Sequence, residues 1–297
     1  MSMSFLIATL AACCMATPSN AIGRQSPDST IDKDIVYSKV DGRELHLDLV
    51  RPTATGKPVP FILWLHGGGW RQGDRKDSHP AMQDMAKLGY AGGSVEYRLA
   101  PAHKFPSPLE DARQALAFLR KNAAKYNLDP DRIAVAGGSA GGHLSLMLGL
   151  AKPAGDKGPN GICGVIDISG PTDFRTWKID KEADDLLKKS VGVNLDGLIA
   201  DFVGTSDRQD RRMVEVSPIT YVSKDNPAVL ILHGTADGWV PFQQARVLND
   251  ALKQAGVKVK LVPFEGASHF AVWWSAQQKA KMHQQIVQFL EEVFKQR

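Results

Sequence analysis

At 297 residues, with 43% hydrophobic and 23% charged side chains, the chain can bury a large core, which excludes disordered, collagen-like and low-complexity readings. Its formal net charge of +4 comes from 36 Lys and Arg against 32 Asp and Glu, scattered without a basic stripe, so no nucleic acid partner is expected. The length fits one α/β domain around a single sheet, and no internal repeat is visible.

The stretch Phe5 to Ala16 is apolar, long enough for a signal-peptide core and too short to span a bilayer. With small residues at Ser19 and Ala21, cleavage after Ala21 is expected, making 1–21 a signal peptide and the protein secreted or periplasmic. Two alternatives stay open. Leu10-Ala11-Ala12-Cys13 resembles a lipobox that would anchor the chain through Cys13, and the first basic residue, Arg24, follows the apolar core where a leader normally has one before it, which leaves a cytoplasmic chain with an apolar tail. Cys13 and Cys14 lie in the leader, so Cys163 stands alone and no disulfide framework exists. No later stretch is apolar enough for a transmembrane segment.

From about residue 34 onward, short apolar runs alternate with helical spacing, the pattern of a mostly parallel sheet flanked by helices. Asp34 to Lys39 and Glu44 to Val50 flank Asp41-Gly42 as an antiparallel hairpin. Phe61 to Leu65, Ala91 to Tyr97, Ile133 to Ala136, Gly164 to Ile168, Ala228 to Leu232 and Val259 to Val262 read as buried strands, about eight in all with the hairpin. Leu109, Ala112, Leu116, Leu119 and Ala123 share one helix face, and the segment Asn127 to Asp131, with Pro130, stops that helix. A last helix shows Met282, Ile286, Phe289, Leu290 and Val293 on one side. Residues 173–221 break the alternation with a charged, irregular segment containing short helical pieces such as Glu182 to Lys189, read as a small cap-like insertion over the active face of a domain spanning 34–297.

Gly137-Gly138-Ser139-Ala140-Gly141 places Gly-x-Ser-x-Gly between a buried strand and an apolar helix, the setting of a nucleophile elbow. A Gly-rich turn that merely packs a helix on a strand would look the same. No Lys follows the glycines, so a phosphate loop is excluded on pattern. Upstream, the strand Phe61 to Leu65 runs into His66-Gly67-Gly68-Gly69-Trp70, a loop whose amides suit an oxyanion hole, with Gly68, Gly69 and the N–H of Ala140 as donors. His66 reads as a brace for that loop.

A serine needs a base, and the base needs an acid to fix its tautomer. His269, in the small-residue loop Gly266 to Phe270 after the last strand, is the best-placed histidine; His143, His233 and His283 lie within a helix or at a strand end. Asp237, on the loop after Ala228 to Leu232, is the preferred acid, and Asp173 after the preceding strand is its rival. The order Ser139, Asp237, His269 is the chain order of the α/β-hydrolase triad. No metal-ligand spacing occurs, and no cofactor is expected.

On these residues the chain resembles the α/β-hydrolase superfamily. His66-Gly67-Gly68-Gly69-Trp70, Tyr97-Arg98-Leu99-Ala100-Pro101, Gly138-Ser139-Ala140-Gly141-Gly142, Ser217-Pro218-Ile219 and Asp237-Gly238-Trp239-Val240-Pro241 are similar to the bifunctional feruloyl and acetyl-xylan esterase-like carboxylesterases, close to the hormone-sensitive-lipase esterases. The latter usually carry Asp before the serine, where Gly138 stands here. The resemblance implies a serine carboxylesterase acting on short-chain, acetyl or feruloyl type esters of small-molecule or polysaccharide alcohols, with Tyr97 to Pro101 and Asp111 as scaffold. Trp70, Trp239, Trp273 and Trp274 fall beside the site loops and are expected to ring the substrate; the bland alternative is packing. An amide-cleaving hydrolase on the same triad and a non-catalytic binding protein are the competing readings, and the oligomeric state is left open.

Overall fold

Residues 29–53, 56–151 and 161–295 are described by the computed structural model; the expected leader, its expected cleavage site and Cys13 lie outside them. Eight strands form one sheet: β1 (Ser29–Val40), β2 (Arg43–Pro52), β3 (Val59–Leu65), β4 (Ala91–Val95), β5 (Leu128–Gly138), β6 (Ile162–Ile168), β7 (Ala228–Gly234) and β8 (Val259–Phe264), in the order β1-β2-β4-β3-β5-β6-β7-β8. The pairs β1 with β2 and β2 with β4 are antiparallel; β4, β3 and β5 through β8 run parallel to one another.

The helices are α1 (His79–Lys87), α2 (Ser107–Lys121), α3 (Ala123–Tyr126), α4 (Ala140–Leu150), α5 (Lys181–Val191), α6 (Leu195–Val203), α7 (Arg211–Glu215), α8 (Gln243–Gln254) and α9 (Ala276–Lys295). The parallel strands read as unbroken apolar runs because both faces of the sheet are covered. Phe61, Leu63, Leu65, Ile133, Val135, Val165 and Ile231 join α2, α4 and α8 on one face, while Ile62, Trp64, Ala134, Ala136, Ile166 and Leu230 meet α1 and α9 on the other. That alternation is the two-residue period of a strand. All of α4 is buried, so it is the central helix, apolar all round.

The strand order reverses between β3 and β5: β3 leads through α1 to β4 on one side, and β5 leads through α4 to β6 on the other. Ligands of open α/β sheets bind in the crevice that such a reversal opens at the carboxyl ends of the strands. The glycine loop after β3 and Ser139 after β5 both sit there.

Two boundaries differ from the sequence reading. Asn127 ends α3 in a left-handed conformation, as a helix stop should, but β5 begins immediately at Leu128. Pro130 lies in a bulge, between the pairings Val59 with Leu128 and Phe61 with Ile133, a position where a strand tolerates proline. β4 ends at Val95, before Tyr97, because the Arg98 amide and guanidinium turn to the buried carboxylate of Asp111.

Within 173–221 the chain forms α5, α6, α7 and a 3-10 turn at Pro218–Tyr221. Asp180, Asn194 and Asp210 cap the three helices at their amino ends through side-chain oxygens, each such cap contributing about 1 kcal/mol. Gly192 and Gly204 close α5 and α6 in the left-handed region. Among the described residues no helix is long and apolar enough to cross a membrane.

Candidate active site

The turn between β5 and α4 holds Ser139 at φ 55° and ψ −119°, a conformation that L-residues rarely adopt and that surrounding contacts must enforce. The enforcement is visible on both sides of the serine. A Cβ on Gly137 would come within 2.4 Å of the Gly141 backbone, and one on Gly141 would lie 1.9 Å from the Leu65 carbonyl oxygen. The Ser139 amide donates to the Ile168 carbonyl at 2.8 Å, tying the elbow to the end of β6.

The glycine loop after β3 folds back on itself. The amides of Arg71 and Gln72 donate to the Gly68 carbonyl, and the Ala100 amide donates to the Trp70 carbonyl. His66 is the brace expected: its ring stacks on Tyr97 at 4.1 Å, its Nδ1 hydrogen-bonds the Gly67 carbonyl at 2.8 Å, and burial pushes its pKa down to about 4. The Tyr97 hydroxyl donates to the His66 carbonyl, so the Tyr-Arg-Leu-Ala-Pro segment holds this loop from behind. Gly68, Gly69 and Ser139 border one cavity of about 30 Å³, and Ala140 opens α4, where first-turn amides have no intrahelical partner.

Asp237, on the loop after β7, accepts from the amides of Trp239 and Val240 through Oδ1. Its Oδ2 lies 2.7 Å from His269 Nδ1, and His269 Nε2 lies 2.9 Å from Ser139 Oγ. A carboxylate can only accept, so the imidazole carries its proton on Nδ1 and offers the Nε2 lone pair to the serine hydroxyl. Burial would raise the Asp237 carboxyl, but the facing imidazoles of His269 and His233 hold it well below the usual carboxylate range. His233 sits one shell further in, donating from Nε2 to the Val240 carbonyl at 2.7 Å and standing 3.3 Å from Asp237 Oδ2. In the sequence this residue is only a strand end; the loop closure that brings Val240 back to it has no local signal.

The rival acid is elsewhere. Asp173 pairs with Arg175 at 2.9 Å, and its amide donates to Gln244, so His269 meets Asp237 and not Asp173. His143 is wholly buried, with Nε2 donating to the Val216 carbonyl. Behind the elbow, Asp167 on β6 accepts from the Gly170 amide, and burial pushes its carboxyl up to about 7.

The four tryptophans separate. Trp239 lies 5.5 Å from the His269 ring, and Trp273 packs edge-on against Phe270 while facing solvent. Trp70 borders the Ser139 cavity from below: its indole is buried, stacked on Phe202 at 4.1 Å and edge-on to His143. Trp274 corrects the expectation. It packs on Phe264 and donates to the Ser268 carbonyl, within the layer beneath α9, because the 3-10 turn Ala271–Trp273 ends there and the extended backbone of Trp274 sends its side chain away from that of Trp273. Trp177, which no motif marked, lines the Ser139 cavity instead and donates to the Trp239 carbonyl at 2.8 Å.

The model of the BD-FAE family matches residues 47–252, more than half of the chain. The chain belongs to the BD-FAE family. The BD-FAE match includes Ser139 and Asp237 and ends before His269, which is placed by the geometry above alone. The chain is 32% identical over 237 residues to the probable carboxylic ester hydrolase LipM of Mycobacterium tuberculosis, an alignment of 76% of this chain and 53% of that protein; the BD-FAE chain thus spans about half the length of this relative. Among solved structures it is similar to a thermophilic esterase of Thermogutta terrifontis with propionate bound (TM-score 0.68, 26% identity, 90% of this chain and 94% of that one). A truncated carbohydrate esterase from gut microbiota shares the fold (TM-score 0.71, 24% identity, 92% of this chain and 99% of that one).

Proposed function

We propose that this protein is a serine carboxylesterase that removes short acyl groups, acetyl above all, through a covalent acyl-enzyme. The observation that carries the proposal is the unbroken hydrogen-bond chain from Asp237 through His269 to Ser139, at 2.7 and 2.9 Å. Ser139 Oγ bonds to the ester carbon as its proton passes to His269 Nε2. The amides of Gly68, Gly69 and Ala140 face the oxyanion that forms. His269 returns the proton to the departing alcohol, and a water activated by the same nitrogen then releases the acid and restores the serine. The names of the relatives support ester chemistry: LipM is a probable carboxylic ester hydrolase, and esterase 2 of Thermogutta terrifontis is phosphorylated by paraoxon.

The preference for acetyl rests on size. A cavity of about 30 Å³ beside Ser139 has room for about two water-sized groups, so an acetyl methyl fits where a long or feruloyl chain does not. The leader at 1–21 favours export, by cleavage after Ala21 or through lipid on Cys13, and an exported esterase meets acetylated plant polysaccharide.

Paraoxon with intact-mass detection tests the chemistry: one diethylphosphoryl adduct on the wild type and none on Ser139→Ala is the expected result. A wild type left unmodified overturns the serine mechanism. Nitrophenyl acetate, butyrate and octanoate, beside acetylated xylan and methyl ferulate, then test the substrate. Octanoate turning over faster than acetate, with no acetate released from xylan, overturns the substrate reading alone.

A further inference from the structure

A second cavity, of about 400 Å³, opens beside the first. His269, Phe270 and Trp239 border both, whereas Ser139, Gly68 and Gly69 border only the small one. One wall of the large groove is an aromatic strip running outward from the base: Trp239 lies against the His269 ring, Phe270 packs edge-on to Trp239 at 4.6 Å, and Trp273 packs edge-on to Phe270 at 4.8 Å. The other wall is α5, through Ala183, Leu186 and Ser190, a spacing that places all three on one helix face. The walls meet at the inner end, where a Cβ on Gly238 would lie 3.5 Å from Ala183 Cβ. At the outer end they part, leaving Trp273 60% and Leu186 49% exposed. These are two of the four large apolar side chains that stand exposed among the described residues, and both border this groove.

Ester cleavage divides a substrate at the carbonyl carbon. The acyl half must stay on the side of the oxyanion donors, and the leaving oxygen must reach His269 Nε2 to take its proton. Of these two cavities, the large groove contains His269 without the serine and its donors. We propose that this groove, between the Trp239-Phe270-Trp273 strip and the Ala183-Leu186 face of α5, is the binding site for the alcohol half of the ester, and that it selects a ring-bearing alcohol of about two rings. The proposal rests on the esterase reading. A volume of about 400 Å³ falls in the range of small-molecule sites of roughly 300 to 1,000 Å³. Flat indole faces opposed by an aliphatic side chain suit a flat or chair-shaped ring better than an open chain, and Asp180, Glu182 and Lys189 along the same groove can meet hydroxyl groups on it.

The test compares 2-naphthylmethyl acetate with ethyl acetate, whose alcohols differ in bulk, and sets both beside ethyl 2-naphthylacetate, in which the ring is moved to the acyl side. The expected kcat/KM is at least tenfold higher for naphthylmethyl acetate than for ethyl acetate, and lowest for the naphthylacetate. Trp273→Ala should lower the ratio of naphthylmethyl to ethyl acetate about tenfold, and Ala183→Phe, which fills the inner end, by more. Calorimetric binding of 2-naphthylmethanol to the wild type, weakened about tenfold in Trp273→Ala, supplies a reading independent of turnover. Preference for ethyl 2-naphthylacetate would overturn the proposal by placing the acyl group in the groove, as would equal losses of both acetates in the two variants. No acetate hydrolysis at all, with Trp273-dependent binding of naphthylmethanol retained, would overturn the esterase reading while keeping the groove a ring site.

Discussion

The floor of the site and the cap above it are built on opposite terms. In the floor, Ser139 is held at a positive φ and Gly141 has no room for a single added carbon; position is enforced by backbone against backbone. In the cap, α5 carries charged residues outward, and a Cβ added to its closing glycine, Gly192, would meet nothing within 4 Å. Chemistry needs reacting atoms fixed to within a fraction of an ångström, whereas a groove wall needs only shape. Substitutions in the cap should therefore alter which substrates are preferred, and substitutions in the floor should abolish turnover or folding.

The largest effect expected is that of Ser139→Ala on the floor: roughly 10⁴-fold or more off kcat with the melting temperature little changed, since only an oxygen is removed. Steady-state kinetics beside a thermal melt measure both, and retained turnover would break the contrast at its centre. Asp237→Asn should cost on the order of 10³- to 10⁴-fold by orienting the wrong tautomer of His269. Asp173→Asn, whose carboxylate faces Arg175, should cost less than about threefold; the reverse ranking would move the acid to the other loop.

Two glycines give the sharpest stability comparison. Gly141→Ala should destabilise by more than about 4 kcal/mol, because backbone atoms block the methyl, and Gly192→Ala by about 1 kcal/mol for its left-handed conformation alone. Urea denaturation of the two variants would settle whether floor and cap differ as described. Asp167 adds a pH dependence under the floor. With its folded carboxyl at about 7 against an unfolded value near ~3.9, it keeps a proton that the unfolded chain has released, so its contribution falls as pH rises from about 4 to 7, by up to about 1.4 kcal/mol per unit. Asp167→Asn cannot ionise and should gain on the wild type over that window; a difference constant from pH 4.5 to 8 would refute the assignment. Smallest of all, Glu215→Gln removes the exposed pair with Arg211 on α7 and should change stability by less than about 0.5 kcal/mol.

The same contrast explains what the sequence reveals. Floor residues announce themselves because their demands are local: a strand, a tight turn and a helix must follow one another within a few residues, so Gly137, Ser139 and Gly141 stand out. The strands are legible for a similar reason: burial on both faces leaves continuous apolar runs in inner strands such as β3 and β7, while the β1-β2 hairpin shows through its alternation around Asp41-Gly42. The cap is poorly legible. The apolar side of α6, with Leu198, Ile199 and Phe202, is defined by Trp70 and Phe174, which belong to other parts of the chain. The places of Trp177, Trp274 and His233 are not legible, because a side chain's direction depends on how a loop closes, and loop closure leaves no periodicity.

The stacking of Phe202 on Trp70, with His143 and Phe174 around them, carries a kinetic consequence. A lipase whose lid lies loosely over its site shows a jump in rate when substrate passes its solubility limit and an oil surface peels the lid away. Here that displacement would strip α6 from the central helix and expose the buried aromatic cluster, so no such surface-triggered opening is available. Velocity should follow a plain hyperbola in dissolved ester and stay level once droplets form.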